Sequence, residues 1–541
     1  MLQVVAILAL VCALGAGFVP VAESAGYNQT QASDEPAIVE VYPNPPTYGD
    51  TGEFVTVEFP PGANVSAYAL ADDHRKVSLK LEGNRTVVEE RTEITFSTAR
   101  NQTKSLTNRT VQPLSDRIRL ADRGDRLRLF RDGTLVDTVQ YGRATEAEVY
   151  NATRDEWHAL GATDRPAIGA TGGEIEAFVL PDEPDRAVEF LESASERIYL
   201  AGYTLSSQRV VEALTDAHEA GVTVEVLVDG SPVGGMSGHA AAALDELDRE
   251  GIDVRVIEGD YDRYRFHHAK YAVVDGEALV TSENWKPSGT GGRSSRGWAV
   301  ITDQQPIVEG LVETFHADTG WVDAISWNEF DDVTLVENSR ASGAYPREFK
   351  IETLRADRTE LLVAPDNAEE QIHSAIRNAE TSLDIKQVQI SDQQFPLLQA
   401  VIEAAERGVE VRILLSGVWY ARAENEQFKA WLEDQAEAGE LPLEVRIADP
   451  GNAFEKIHAK GLIVDGEQTL VGSINWNNNS VQNNREVALL IESREVAAYF
   501  GDVFEADWQR DDKQELPLGL ALVALLVAVL AVLGASRVQF E

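Results

Sequence analysis

The sequence predicts two copies of an α/β unit, preceded by an all-β domain and followed by one membrane-spanning segment. Three observations carry that expectation. Strand-like runs alternate with helical periodicity through residues 174–335, and the same programme restarts through 349–512. Within it, Ala-Gly221-Val-Thr-Val-Glu-Val-Leu-Val and Arg-Gly408-Val-Glu-Val-Arg-Ile-Leu-Leu align without a gap, 187 residues apart. That period is too long for a solenoid module and suits a duplicated domain. Lastly, 516–535 are twenty uncharged residues, enough to cross a bilayer.

From the N-terminus, the apolar run 4–22 leads to the small-residue exit at Ala25, so 1–25 reads as a signal peptide. Cys12, the single cysteine, lies inside it, so a processed chain has neither disulfides nor thiolate chemistry. Asn-x-Ser/Thr acceptors crowd the first part of the chain, at Asn28, Asn64, Asn84, Asn101, Asn108 and Asn151, which fits an exported glycoprotein. Residues 36–145 alternate as β-strands, with Asp132-Gly133 marking a hairpin. Residues 146–173 read as a linker, ending in Ala-Thr-Gly-Gly. Beyond the repeats, Arg537 after the apolar 516–535 segment places the bulk of the chain on the outer face of a cell membrane.

The formal net charge is −43, with lysine rare beside arginine. Dense carboxylates keep a protein hydrated where concentrated salt screens their repulsion, so a halophilic origin is expected.

The chemistry lies in a string that occurs twice. His268-Ala-Lys270 and His458-Ala-Lys460 each precede an apolar strand, and Asp275-Gly and Asp465-Gly each follow as a turn. Ser282-Glu-Asn284-Trp and Ser473-Ile-Asn475-Trp come after the return strand. Alternation puts His and Lys on one face, Ser and Asn on a common face, and each Asp on the opposite side in a structural role. Each half then offers one imidazole, one ammonium and one amide. One imidazole can attack and another can protonate a leaving group, while the cations and amides hold a charge that persists, as on a phosphodiester. No carboxylate cluster or paired-histidine spacing accompanies them, so neither a metal nor a cofactor is implied.

This doubled His-x-Lys-x4-Asp pattern with its trailing Ser-x-Asn resembles the phospholipase D superfamily over residues 174–510. The resemblance implies two α/β domains related by pseudo-twofold symmetry around one metal-independent site, with a phosphohistidine on His268 and with His458 as the acid and base. It also implies a downstream acidic residue that orients the histidine of the opposite half. Glu486 supplies one for His268, whereas glycine stands at the matching position 297, leaving His458 without support unless the out-of-register Asp303 serves. The first segment, from Ile38-Val-Glu-Val-Tyr-Pro-Asn-Pro through Asp125-Arg-Leu-Arg-Leu-Phe-Arg-Asp-Gly, is similar to the lamin-tail domain, an immunoglobulin-like sandwich. The expected activity is hydrolysis of phospholipid head-group phosphodiesters by a monomeric unit. Nucleic-acid cleavage, phosphatidyl transfer of the cardiolipin synthase kind and a catalytically impaired binding module are the alternatives.

Overall fold

The computed structural model describes residues 35–510, apart from 46–51, 84, 108, 146–147, 161, 259–262, 331–333, 338–339 and 391. The signal-peptide and 516–535 segments, Asn28, Asn84 and Asn108 therefore lie outside the described residues. Among the described residues no helix is long and apolar enough to cross a membrane.

The first segment forms two sheets. One runs, in spatial order, Glu156–Ala159, Glu148–Asn151, Ala37–Tyr42, Phe54–Phe59, Thr92–Ser97 and Thr110–Pro113; the other is Lys76–Ser78, Tyr68–Ala71, Asp125–Arg131 and Thr134–Tyr141. Val57, Phe59 and Phe96 of the first sheet pack with Leu70, Leu127 and Leu129 of the second in one core. The stretch 146–173, expected as a linker, instead extends the first sheet by two strands. Its composition is polar, but Val149 and Tyr150 are buried on opposite faces of the new strand, Tyr150 in the sandwich core and Val149 with Tyr42, Phe54 and Leu160.

Each repeat builds a mixed sheet of seven equivalent strands. In the first repeat three parallel strands, Asp253–Ile257, Thr223–Asp229 and Arg197–Gly202, precede an antiparallel set, Tyr271–Val274, Glu277–Thr281, Ser295–Thr302 and Glu174–Leu180. In the second, Leu443–Ile447, Glu410–Leu415 and Ser382–Gln387 precede Gly461–Val464, Gln468–Gly472, Glu486–Glu492 and Arg358–Ala364. The central parallel strands start polar and end in buried apolar runs, Val226-Leu-Val and Ile413-Leu-Leu, where helices cover both faces.

The edges are exchanged. Ile168–Thr171, which leads into the first repeat, pairs with Arg358–Ala364 of the second. Glu352–Arg355, which leads into the second and was expected to belong to it, pairs with Glu174–Leu180 of the first. Helices Gln305–Thr319 and Arg494–Gln509 contribute Phe315, Phe500 and Phe504 to a central core that draws on both sheets.

Two buried arginines fasten the halves at symmetry-related places. Arg485 reaches Asp366 in its own repeat, at 3.4 Å, and Asp318 of the other, at 3.0 Å. Arg296 reaches Asp182 in its own repeat and Asp507 of the other, the latter at 3.0 Å. Lys386 Nζ donates to the same Asp507 at 2.7 Å.

Candidate active site

The site forms where the end of one repeat's sheet meets the segment ahead of the other's motif. Ser295-Arg296 pairs in parallel with Lys456-Ile457, and His267 bridges to Arg485. Backbone N–H groups of His268 and His458 donate to the carbonyls of Arg485 and Arg296, both at 2.9 Å. Each motif is thus anchored to the opposite half, which brings His268, Lys270, His458 and Lys460 together.

His268 Nδ1 lies 2.8 and 3.0 Å from the two carboxylate oxygens of Glu486, placing the carboxylate of one repeat on the histidine of the other. Glu486 is fully buried and also accepts from Ser480 Oγ at 2.7 Å and Asn484 Nδ2 at 3.1 Å. Burial alone would raise its carboxyl, but His268 and Lys270 hold it below the usual range. Burial brings the His268 imidazole down to about 4, against the opposing pull of Glu486, so the ring is neutral at ordinary pH. With Nδ1–H directed at Glu486, Nε2 keeps its lone pair. The Tyr203 ring packs edge-on to it at 4.6 Å.

Lys270 and Lys460 are buried, and each donates to the carbonyl of its own motif histidine at 2.6 Å. Burial lowers both, Lys460 to about 8. Burial and then the cations Lys460, Lys456 and Lys270 hold His458 well below an ordinary imidazole. Of the eleven lysines in the chain, four act on this site: 270, 286, 456 and 460.

The aspartates stand away from the chemistry, as the alternation predicts. Asp275 accepts from the backbone N–H groups of Ser195, Glu196 and Arg197. Asp465 does the same with Glu380, Thr381 and Ser382. Both have φ near +50°, at 51° and 55°, which the Asp-Gly turn tolerates. Ser282 and Ser473 hold the hairpins, each hydroxyl accepting a strand N–H, from Trp298 and Val487, at 3.0 Å, and Ser473 also bonds Glu486 and helps hold its carboxyl low. Asn284 Oδ1 is buried without a hydrogen-bond partner, and Asn475 is half-buried.

The expectation that His458 lacks a carboxylate is corrected. Glu283 Oε2 lies 3.2 Å from His458 Nδ1, and Glu283 is 1% exposed. Asp303 is exposed at the far end of its strand. Strand Glu277–Thr281 has ended before Glu283, so the alternation that grouped Ser282 with Asn284 does not decide where its side chain goes. The usable signal was a carboxylate in copy one where copy two has Ile474. Among the described residues no group of three or more His, Cys, Asp or Glu is placed to hold a metal ion.

Two imidazoles and the lysines around them, drawn from both α/β repeats, form one cationic pocket. A family model described as "Cardiolipin synthase, PLD-like domain" matches residues 187–319 and 372–508. The chain belongs to the phospholipase D superfamily. Cardiolipin synthase A of Yersinia pestis is 24% identical over 341 residues, 60% of this chain and 67% of that protein. Mouse mitochondrial cardiolipin hydrolase is 39% identical over 56 residues, 10% of this chain; the match spans a quarter of the mouse protein's length. The solved phosphatidylserine synthase of Haemophilus influenzae has a TM-score of 0.46 and 16% identity, over 61% of this chain and 84% of that one. The family model matches nothing before residue 187, so the lamin-tail resemblance of the first segment rests on its sequence alone.

Proposed function

We propose that the protein hydrolyses phospholipid head-group phosphodiesters through a phosphohistidine on His268. The observation that carries the reading is the convergence of three of eleven lysines, 270, 456 and 460, on two histidines, in a chain of net charge −43. In so acidic a protein a cationic pocket selects a compact anion. His268 Nε2 attacks phosphorus, the phosphorus–oxygen bond to the head-group alcohol breaks, and His458 as imidazolium gives that oxygen its proton. Water then gives a proton to neutral His458 as its oxygen attacks phosphorus, and the phosphorus–nitrogen bond breaks to restore His268. Burial and the cations keep His458 neutral in the empty site, and the bound diester anion offsets the part due to the cations. Lys270, Lys460 and Asn284 stabilise the phosphoryl oxygens throughout.

Lipid is favoured over nucleic acid by apolar side chains at the mouth. Trp419 is 87% exposed, and Tyr420 beside it packs against Lys456 Nζ at 5.7 Å. From the other repeat comes Val233, 76% exposed, whose N–H donates to the Tyr203 hydroxyl next to His268. Such groups enter a lipid interface readily. Both halves of the site come from one chain, so a monomer suffices, held at the outer membrane face by residues 516–535.

Phosphatidylcholine or cardiolipin vesicles and plasmid DNA, offered separately to wild type, His268→Ala and His458→Ala, test the reading. Expected is histidine-dependent release of phosphatidic acid with intact plasmid. Nicking of the plasmid without lipid turnover would replace it with the nuclease reading. Transfer to glycerol in preference to water would replace hydrolysis by phosphatidyl transfer.

A further inference from the structure

The two repeats differ by an exchange at two equivalent positions. In the second, the strand Glu486–Glu492 opens with the carboxylate, and buried Ile474 stands between Ser473 and Asn475. In the first, the matching strand position is Gly297, and Glu283 stands between Ser282 and Asn284. Steric contact links the two differences. A Cβ at 297 would stand 2.7 Å from Glu283 Cδ and overlap Cγ and Oε1, so any side chain there excludes the observed Glu283. Thr281, where copy two has Gly472, fixes the turn by accepting the Glu283 N–H at 3.1 Å.

We propose that Glu283 is the positioning carboxylate of His458, transposed across the hairpin from the strand position that Glu486 holds in the other repeat, with Gly297 vacated to receive it. The carboxylate receives Nδ1–H and turns Nε2 toward the phosphoryl group, as Glu486 does for His268. Lys460 Nζ, also 3.2 Å from Nδ1, has carbonyl partners in His458 at 2.6 Å and Ser282 at 3.4 Å, and is placed beside the ring as a cation while the Nδ1 proton is given to Glu283. Burial pushes the Glu283 carboxyl up to about 7 against the pull of Lys460, Lys456 and Lys270, while His458 is held low. The impaired-module alternative drawn from Gly297 loses its basis.

The proposal rests on the phosphohistidine reading, and two measurements separate their failures. Bis(p-nitrophenyl) phosphate releases a leaving group that needs little protonation, so Glu283→Gln keeps a stoichiometric burst within about threefold of the wild-type rate. Its steady-state turnover falls about 100-fold, because water activation now limits, and phosphohistidine accumulates on His268. Glu283→Ala/Gly297→Glu, which copies the second repeat's arrangement, recovers at least about tenfold over Glu283→Ala. Steady-state turnover of Glu283→Gln within about threefold of wild type, or no recovery in the double variant, overturns the proposal. Histidine-labelled 15N spectra read the Nδ1 proton of His458 without any substrate. A shift confined to His458 in Glu283→Gln supports the positioning role even if wild type forms no phosphohistidine, which would instead sink the functional reading. An unmoved His458 resonance overturns the proposal whatever the turnover.

Discussion

Gly461→Ala is expected to weaken the fold through the joint between the repeats. Gly461 follows Lys460 and faces Trp298 of the other half. A Cβ there would stand 2.6 Å from both Cε3 and Cη2 of the indole and closer still to Cζ3. Carbon atoms in contact sit roughly 3.5–4.0 Å apart, so the ring must retreat by about 1 Å or more. It has nowhere to go. Trp298 is 1% exposed, leans on Phe500 at 4.5 Å and lies under Lys386 Nζ at 5.4 Å. Overpacking of this kind costs about 1–3 kcal/mol, and the closed surroundings place this case at about 2–3 kcal/mol. Urea unfolding followed by tryptophan fluorescence measures it as a lowered midpoint at unchanged slope. Trp298→Val, which installs the residue that the other repeat carries as Val487, leaves a cavity in wild type but costs less beside Gly461→Ala. The coupling is at least about 1 kcal/mol. A Gly461→Ala protein within about 0.5 kcal/mol of wild type, or additive effects in the pair, would refute the steric account.

Replacing Glu486 by Gln removes a charge-assisted bond to His268 worth about 1.5–3 kcal/mol, so the burst rate with bis(p-nitrophenyl) phosphate falls about 10- to 100-fold in stopped flow. A loss under about threefold would deny Glu486 a role in attack. Because His268 is brought down to about 4, its nucleophilic neutral form persists below the ordinary imidazole range. The acidic limb of kcat/KM is therefore expected near pH 4, and a limb near about 6.5 would show an unperturbed ring. Arg485→Met strands Asp318 and Asp366 as buried charges, at a cost of about 3–5 kcal/mol in denaturant unfolding. A change under about 1 kcal/mol would show that the clamp carries no stability.

Much of the site was legible because the duplication doubles each signal. His268, Lys270, His458 and Lys460 announce themselves by recurrence, and Asp275 and Asp465 declare a turn through the glycine that follows. Glu486 was legible only through the family resemblance, which implies an acidic residue downstream of the second motif. Glu283 was not, since its position follows from where a strand stops, which alternation does not mark. Asp318 and Asp507 were equally hidden. Each partners an arginine 167 or 211 residues away, and nothing local to either helix records that distance. The exchanged edge strands escaped for a related reason: 163–173 has the composition of a loop, and pairing with Arg358–Ala364 gives it strand geometry from outside.

The exchanged edges give the molecule the connectivity of a fused dimer whose arms clasp the opposite body. A break in the polypeptide near Ser342 would cut the covalent joint and leave both ladders paired, Ile168–Thr171 on one side and Glu352–Arg355 on the other. Each fragment would then carry the strand that its counterpart needs, and neither would close its own sheet alone. Two inactive pieces, expressed apart and mixed, would meet as complements and restore one site between them.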